Sequence, residues 1–472
     1  MIKKLIKFIL ISTTILIIII FYLSFFGIST NKLNNKIKTE ILNINKNINL
    51  ELKSVKLLLN PFDFTINIKT FGSNILFDNN QIELENIITN ISLKSLLNNQ
   101  FSIDDLQIST KAINLKDLIR LARSFENSTE LFILERIIKD GFLIGDIHLN
   151  FDSSGKVKDD YEIKGFIKNG KIDILKKNNL ENLNLLFLIK DNNYLLEDVN
   201  LEFNQIKFLS PLIAIKKKNN QFLIDGKLIS NKKDIDIKFL NSFLGDFLEN
   251  FDIKNMNFSS VNDFTFSVDS KLKISDLNIR SIINLNRLDY KNDSLSIKKY
   301  LPNFQEFIKL ENHKILIDYT KNQLNINGKG DITIEDKSDN IDYKIIRKNN
   351  EYNFNTNIFI NKNLLLIEGL KYKKKKNLEA LLNIKGIYKN NKEIQLNSIS
   401  LVDNEKNSFL IKGLHLNDQL KIYEINSLNF DFINNNKIKN QIYLIKNKEN
   451  YNITGKSFDA STLIDELLNN ED

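Results

Sequence analysis

The sequence predicts a mainly β protein: an N-terminal transmembrane helix, then an elongated, curled antiparallel sheet with a few short helices. Three observations predict it. Phe8 to Ile28 is an uncharged apolar run. Beyond residue 50, apolar and polar side chains alternate, the period of a strand with one dry and one wet face. The three prolines sit in no recognisable linker and no Gly/Ser-rich spacer divides the chain, which favours one repetitive body over separate globules.

The first element is the helix. Its charge-free run holds 21 residues, fifteen of them Ile, Leu or Phe. At about 1.5 Å per residue it spans the roughly 30 Å hydrocarbon layer. Phe8, Ile15, Ile20, Phe26 and Ile28 are the candidate anchor residues. A cleaved signal would have an apolar region of about 7–15 residues ending at a small-x-small site. This run is longer, and Phe21 to Gly27 contains no such site, so the reading is a retained anchor. Lys3, Lys4, Lys7 and the α-amino group precede it, against Lys32, Lys36 and Lys38 behind. That small excess puts the N-terminus inside and the body outside.

The strands follow in order. Phe62, Phe64, Ile66 and Ile68 alternate with polar residues, as do Ile147-Leu149-Phe151, Val199-Leu201-Phe203 and Ile235-Ile237-Phe239. The pattern returns at Phe264-Phe266-Val268, Ile315-Ile317-Tyr319, Tyr352-Phe354 and Leu428-Phe430-Phe432. Asn, Lys, Asp and Gly clusters between these runs supply the turns. The candidate apolar lining is Phe62, Phe64, Ile66, Ile68, Leu201, Phe203, Phe264, Phe266, Val268, Phe430 and Phe432. Gly165, Gly226, Gly328, Gly386, Gly413 and Gly455 lie in or beside strands. There they predict bulges or bends that curl the sheet. Helical spacing is predicted over Leu115 to Phe125 behind an Asn114 cap, and from a Ser128 cap through Lys139 to a stop at Gly141. A third helix, Ala460 to Leu468, is capped by Asp459. The division is thus 1–30, cytoplasmic tail and transmembrane anchor, and 31–472, an elongated β-rich groove body with helices near 114–140 and 459–469.

Composition narrows the function. The net charge is +8, but lysines are scattered and only six of the 66 basic residues are arginines. Bidentate base reading therefore has few donors, and no nucleic-acid partner is expected. Without cysteine there are no disulfides and no thiolate metal sites. His148, His313 and His415 are far apart in sequence, and no H-E-x-x-H, G-x-S-x-G or G-x-G-x-x-G occurs. Gly455-Lys456-Ser457 resembles the end of a phosphate loop, but its first glycine position is Asn450. No catalytic residue, metal site or cofactor is assigned, and the expectation is a protein that is not an enzyme.

A one-sided sheet must cover its apolar face, by folding onto a second sheet or by curling into a gutter. A gutter suits acyl chains: at about 0.8 kcal/mol per methylene, exposing a 16-carbon chain costs on the order of 10 kcal/mol. Three segments carry a family resemblance. The chain begins Met1-Ile2-Lys3-Lys4 before its apolar helix. Leu50-Glu51-Leu52-Lys53-Ser54-Val55-Lys56-Leu57 is followed by Ile82-Glu83-Leu84-Glu85-Asn86-Ile87. The chain ends with Ile453-Thr454-Gly455-Lys456-Ser457-Phe458-Asp459-Ala460 and an amphipathic stretch, similar to a recurring G-x-S-x-D-A segment. Together these resemble the AsmA-like family, in particular its YhdP and TamB branch of Gram-negative envelopes. The resemblance implies a single-pass inner-membrane anchor and a periplasmic body of repeating β-groove units. It implies phospholipid movement toward the outer membrane, with acyl chains, the inner membrane and other envelope proteins as partners. The alternative is a non-enzymatic envelope scaffold, or an assembly factor pairing outer-membrane strands at an exposed edge.

Overall fold

The computed structural model describes residues 2–464 except 45, 47, 78–79, 99–102, 126–128, 153, 175–177, 192, 204–205, 219–220, 235–251, 270–272, 292–300, 336, 350, 390–392, 418–421 and 463. The run Ile235-Ile237-Phe239, the Ser128 cap and most of the predicted last helix therefore lie outside the described residues. The chain is mainly β. Among the described residues, 26 strands belong to one antiparallel sheet. The chain divides into two compact units: Met1–Lys227 with Phe266–Ser275, and Leu228–Thr265 with Asp276–Asp472.

The helix Ile2–Phe25 is long and apolar enough to cross a membrane. Its few hydroxyls are satisfied within it, as an apolar medium demands. Thr13 donates to Ile9 O at 2.9 Å, Thr14 to Leu10 O at 2.8 Å and Ser24 to Ile20 O at 2.7 Å. Phe8, Ile15 and Ile20 lie on it. Two anchor residues lie past its end. Phe26 stacks on Tyr22 with ring centroids 5.5 Å apart, and Ile28 opens the strand Ile28–Thr30, paired with Leu57. Gly27, at φ 67, makes the break: it takes a left-handed conformation that stops the helix and turns the chain into the sheet.

In the first unit, antiparallel pairing runs unbroken from Ile28–Thr30 through Ser54–Asn60, Thr65–Phe71, Asn80–Ser92, Ile103–Thr110, Ile138–Asn150, Glu162–Ile174, Asn178–Lys190 and Asn193–Phe203 to Ile206–Lys218. In the second, it runs from Ile274–Lys291 through nine further strands to Asn450–Ser457. Alternation explains the strands, and Asn and Asp at φ near 50° explain several kinks between regular registers. Asn169, Asn182, Asp198 and Asn312 all adopt that left-handed conformation beside register shifts.

Two expectations about local structure are corrected. Phe62 and Phe64 are not strand residues: the strand starts at Thr65, and both sit in the turn 61–64, with Phe64 at φ 53. Pro61 and Asn60 override the alternation there, because Asn60 Oδ1 accepts the Phe62 and Asp63 backbone N–H groups. Gly141 does not stop a helix. The helix is Thr129–Ile137, and Gly141 lies inside the strand Ile138–Asn150.

Four of the predicted glycines show two uses, and Gly386, under the Phe354 ring, combines them. Gly386 and Gly455 stand at register shifts. Gly165 and Gly328 stand in regular register and make room for rings: Phe187 lies across Gly165, and Tyr343 across Gly328. A Cβ at Gly165 would meet Phe187 Cζ at 2.8 Å. Their role is close approach of an aromatic ring rather than a bend.

Candidate functional site

Register converts the alternation into continuous rows. In the first unit, one row passes through Ile87, Ile108, Ile147, Ile163, Ile189, Tyr194 and Ile215, each the direct partner of the next. The neighbouring row on the same face begins where the helix ends: Ile28, Leu57, Ile68, Thr89, Leu106, Leu149. None of the thirteen is buried. In the second unit a row runs Ile283, Ile315, Gly328, Tyr343, Thr356, Ile384, Ile399, Ile411, Leu428, Leu444, Ile453. Of these only Gly328 is buried. A packed core would bury most such side chains below a tenth exposure. Here the apolar face is continuous and half open.

The opposite face is wet and stitched by amides. Asn327, Lys344, Asn355, Lys385, Ser398, Lys412 and Ser427 form one of its rows. Asn383 Nδ2 donates to Asn357 Oδ1 at 2.6 Å and Asn357 Nδ2 to Asp342 Oδ1 at 2.7 Å. In the first unit, Asn67 donates to Asn90 at 2.9 Å and Asn90 to Asp105 at 2.6 Å. Such cross-strand pairs each add roughly 0.2–1 kcal/mol to the pairing from the wet side.

Each unit covers part of its dry face locally. In the first, the helix Leu115–Phe125 begins at Asn114, whose Oδ1 accepts the Lys116 N–H at 2.9 Å. It presents Leu118 and Leu121 to a cluster of Ile48, Phe77, Ile82, Leu84 and Ile113, against which Ile87 and Ile108 also pack. Arg123 binds Glu135 of the next helix, and that hydrogen bond holds the Glu135 carboxyl below its usual pKa. In the second unit, the small hairpin Leu365–Ile367 and Tyr372–Lys374 seats Tyr372 against Phe409 and Phe432. Tyr372 Oη donates to Asp403 Oδ2 at 2.6 Å; burial, then that carboxylate, raises the phenol pKa. Lys374, fully buried, donates to Asn363 O at 2.6 Å. Nothing in the sequence pointed to this polar knot, because Lys373 to Lys376 are four consecutive lysines with no mark that sets one apart.

The predicted lining residues separate accordingly. Ile66 and Ile68 lie half-exposed on the dry face, paired with Ile91 and Thr89. Phe430, also half-exposed, pairs with Phe409 and Ile442. Leu201 and Val268 are buried, and Phe203, Phe264 and Phe266 are intermediate. Phe432 is no open lining: the Tyr372 hairpin covers it to 0 % exposure. Phe62 and Phe64 project from a turn at 95 % and 63 % exposure.

Ionisable groups gather around Lys374, where Asp339, Asp403 and Glu335 act on its ammonium, and that knot is buried. Among the described residues no three of His, Cys, Asp and Glu are placed to hold a metal ion. His148 lies 3.9 Å from Asp105, His313 is buried against Asp331 O at 2.9 Å, and His415 contacts Tyr423. What each unit offers is a half-exposed apolar strip on one face of its strands and an amide-laced polar row on the other. Comparison with protein-family models, with curated proteins and with solved structures finds no match for this chain.

Proposed function

We propose that the chain is a non-enzymatic, single-pass inner-membrane protein whose periplasmic body carries phospholipid acyl chains along its dry face toward the outer membrane. The reading agrees with the resemblance to the AsmA-like family. One observation carries it: a cross-strand apolar row that begins at Ile28, where the helix ends, runs to Leu149 and has no buried member. A half-open apolar row is a standing cost in water, offset when hydrocarbon occupies it. In this reading the acyl chains lie along the dry face and the lipid headgroup stays in water.

Photoreactive amino acids placed singly in the full-length chain in cells test this. At Ile163, Ile189, Ile345 and Ile399, on dry-face rows, they are expected to yield phospholipid adducts. At Lys164 and Lys344, on the wet face, they are expected to yield none. No lipid adduct at any of the four isoleucines sinks the proposal. The scaffold or assembly alternative has one observation of its own. Asn450–Ser457 pairs on one side only among the described strands, and all its residues are exposed. An edge of that kind accepts a further strand. Protein adducts at Tyr451 and Ile453, without lipid adducts elsewhere, favour that alternative.

A further inference from the structure

The end of the Met1–Lys227 unit beside the helix carries apolar side chains that a solvated turn has no use for. Phe62 and Phe64 project from the turn 61–64, and Leu97, 82 % exposed, ends the short helix Leu93–Leu97. The two segments are joined: Thr65 pairs with Ser92, and the Leu93 N–H donates to Phe64 O at 2.9 Å. The turn is also held in shape. Asn60 accepts two backbone N–H groups and donates from Nδ2 to Asp63 Oδ2 at 2.7 Å. The rings are therefore presented outward by a fixed scaffold.

Register places this end relative to the helix. Ile28 pairs antiparallel with Leu57, so the chain from Ile28 back toward Phe25 runs in the direction that leads from Leu57 to Asn60. Gly27 lies against the Leu57 carbonyl and the Leu58 side chain, where a Cβ would collide. Of the helix residues from 2 to 25, Ile20, Leu23 and Ser24 are the ones partly buried, a single stripe at helical spacing over its last turns. The hydrocarbon layer takes about 20 residues of helix. Counted from Phe8, the first residue after Lys7, that length ends near Gly27. The bilayer boundary then falls where Gly27 meets Leu57 and Leu58, and the turn 61–64 lies on its membrane side.

We propose that the turn 61–64 and the helix Leu93–Leu97 form a wedge inserted in the leaflet from which the anchor emerges. Phe62, Phe64 and Leu97 sit among acyl chains just below the headgroups. Lys94, exposed on the same short helix, extends its ammonium to lipid phosphate. The wedge holds the first rungs of the dry face, Leu57 and Ile68, at the membrane surface. It rests on the reading that Ile2–Phe25 spans the bilayer, and not on lipid carriage.

The absence of cysteine allows a direct test. Single variants Phe62→Cys, Leu97→Cys, Ile15→Cys and Lys164→Cys of the full chain are labelled with an environment-sensitive fluorophore. They are then reconstituted in vesicles of phosphatidylethanolamine and phosphatidylglycerol. Positions 62 and 97 are expected to show blue-shifted emission and severalfold stronger quenching by shallow nitroxide lipids than position 164, while position 15 is quenched by deep ones. Both wedge side chains are exposed, so the labels leave the fold intact. Water-like emission at 62 and 97 with position 15 quenched overturns the wedge and leaves the anchor standing. An unquenched position 15 overturns both.

Discussion

Lys374 brings an ammonium into a fully enclosed part of the Leu228–Thr265 and Asp276–Asp472 unit. Loss of hydration pulls its pKa below the ordinary 10.5, against the upward pull of Asp339, Asp403 and Glu335. A base whose folded pKa is depressed disfavours folding while it must stay protonated. Stability therefore rises as pH climbs through the folded pKa and levels off at the unfolded value. Lys374→Met removes this dependence. The stability difference between native chain and variant, from denaturant unfolding, is expected to grow in the native chain's favour from neutral pH to about 10.5. A difference that stays flat over that range refutes the assignment. Lys374 also marks a boundary of what residue order conveys. Within Lys373 to Lys376 all four residues look alike, and only the strand alternation of Tyr372–Lys374 decides which one points inward. Phe62 and Phe64 fail in the opposite sense: they continue an alternating pattern through a turn that Asn60 and Pro61 impose.

At the scale of elements, strands were legible because a period of two persists over many residues, and the helix Leu115–Phe125 because its apolar stripe follows a capping asparagine. Pairing was not legible. That Ile87 stands beside Ile108 and then Ile147 depends on register across distant segments, which no single stretch encodes. The ring-over-glycine contacts share that dependence, so Gly165 and Gly328 read as bends until their partners are known. The packing of Leu115–Phe125 onto the dry face gives a test. Leu121 belongs to the buried cluster there, and Leu121→Ala is expected to cost about 2–5 kcal/mol. Amide hydrogen exchange in Ile138–Asn150, on which this helix rests, reads the loss as faster local opening. Leu134→Ala, at an exposed position of the following helix, serves as the comparison and is expected to change little. Equal effects from both would show that the helix is not held by that cluster.

At the scale of the whole molecule, an apolar helix joins a mainly β chain, and one dry row of the first unit starts at the helix's own exit point. Inserting Ile2–Phe25 is favourable by several kcal/mol, and each lysine at its centre opposes this by roughly 2.5–3.5 kcal/mol. The double variant Ile15→Lys, Ile18→Lys is therefore expected to move a large share of the protein into the alkaline-carbonate extract of membranes. Full retention would mean that something other than this helix holds the chain. The pairing pattern also bears on how such a chain could change in length. Along the rows from Ile163 to Ile215 and from Ile283 to Ile453, each strand contributes one residue and pairs with the strand before it and the strand after it. A hairpin inserted or lost at any turn would add or remove two steps of the strip, leaving the chemistry of the remaining steps untouched. Reach and surface chemistry are thus separable traits in this architecture, and duplication of a single hairpin is enough to vary the first without disturbing the second.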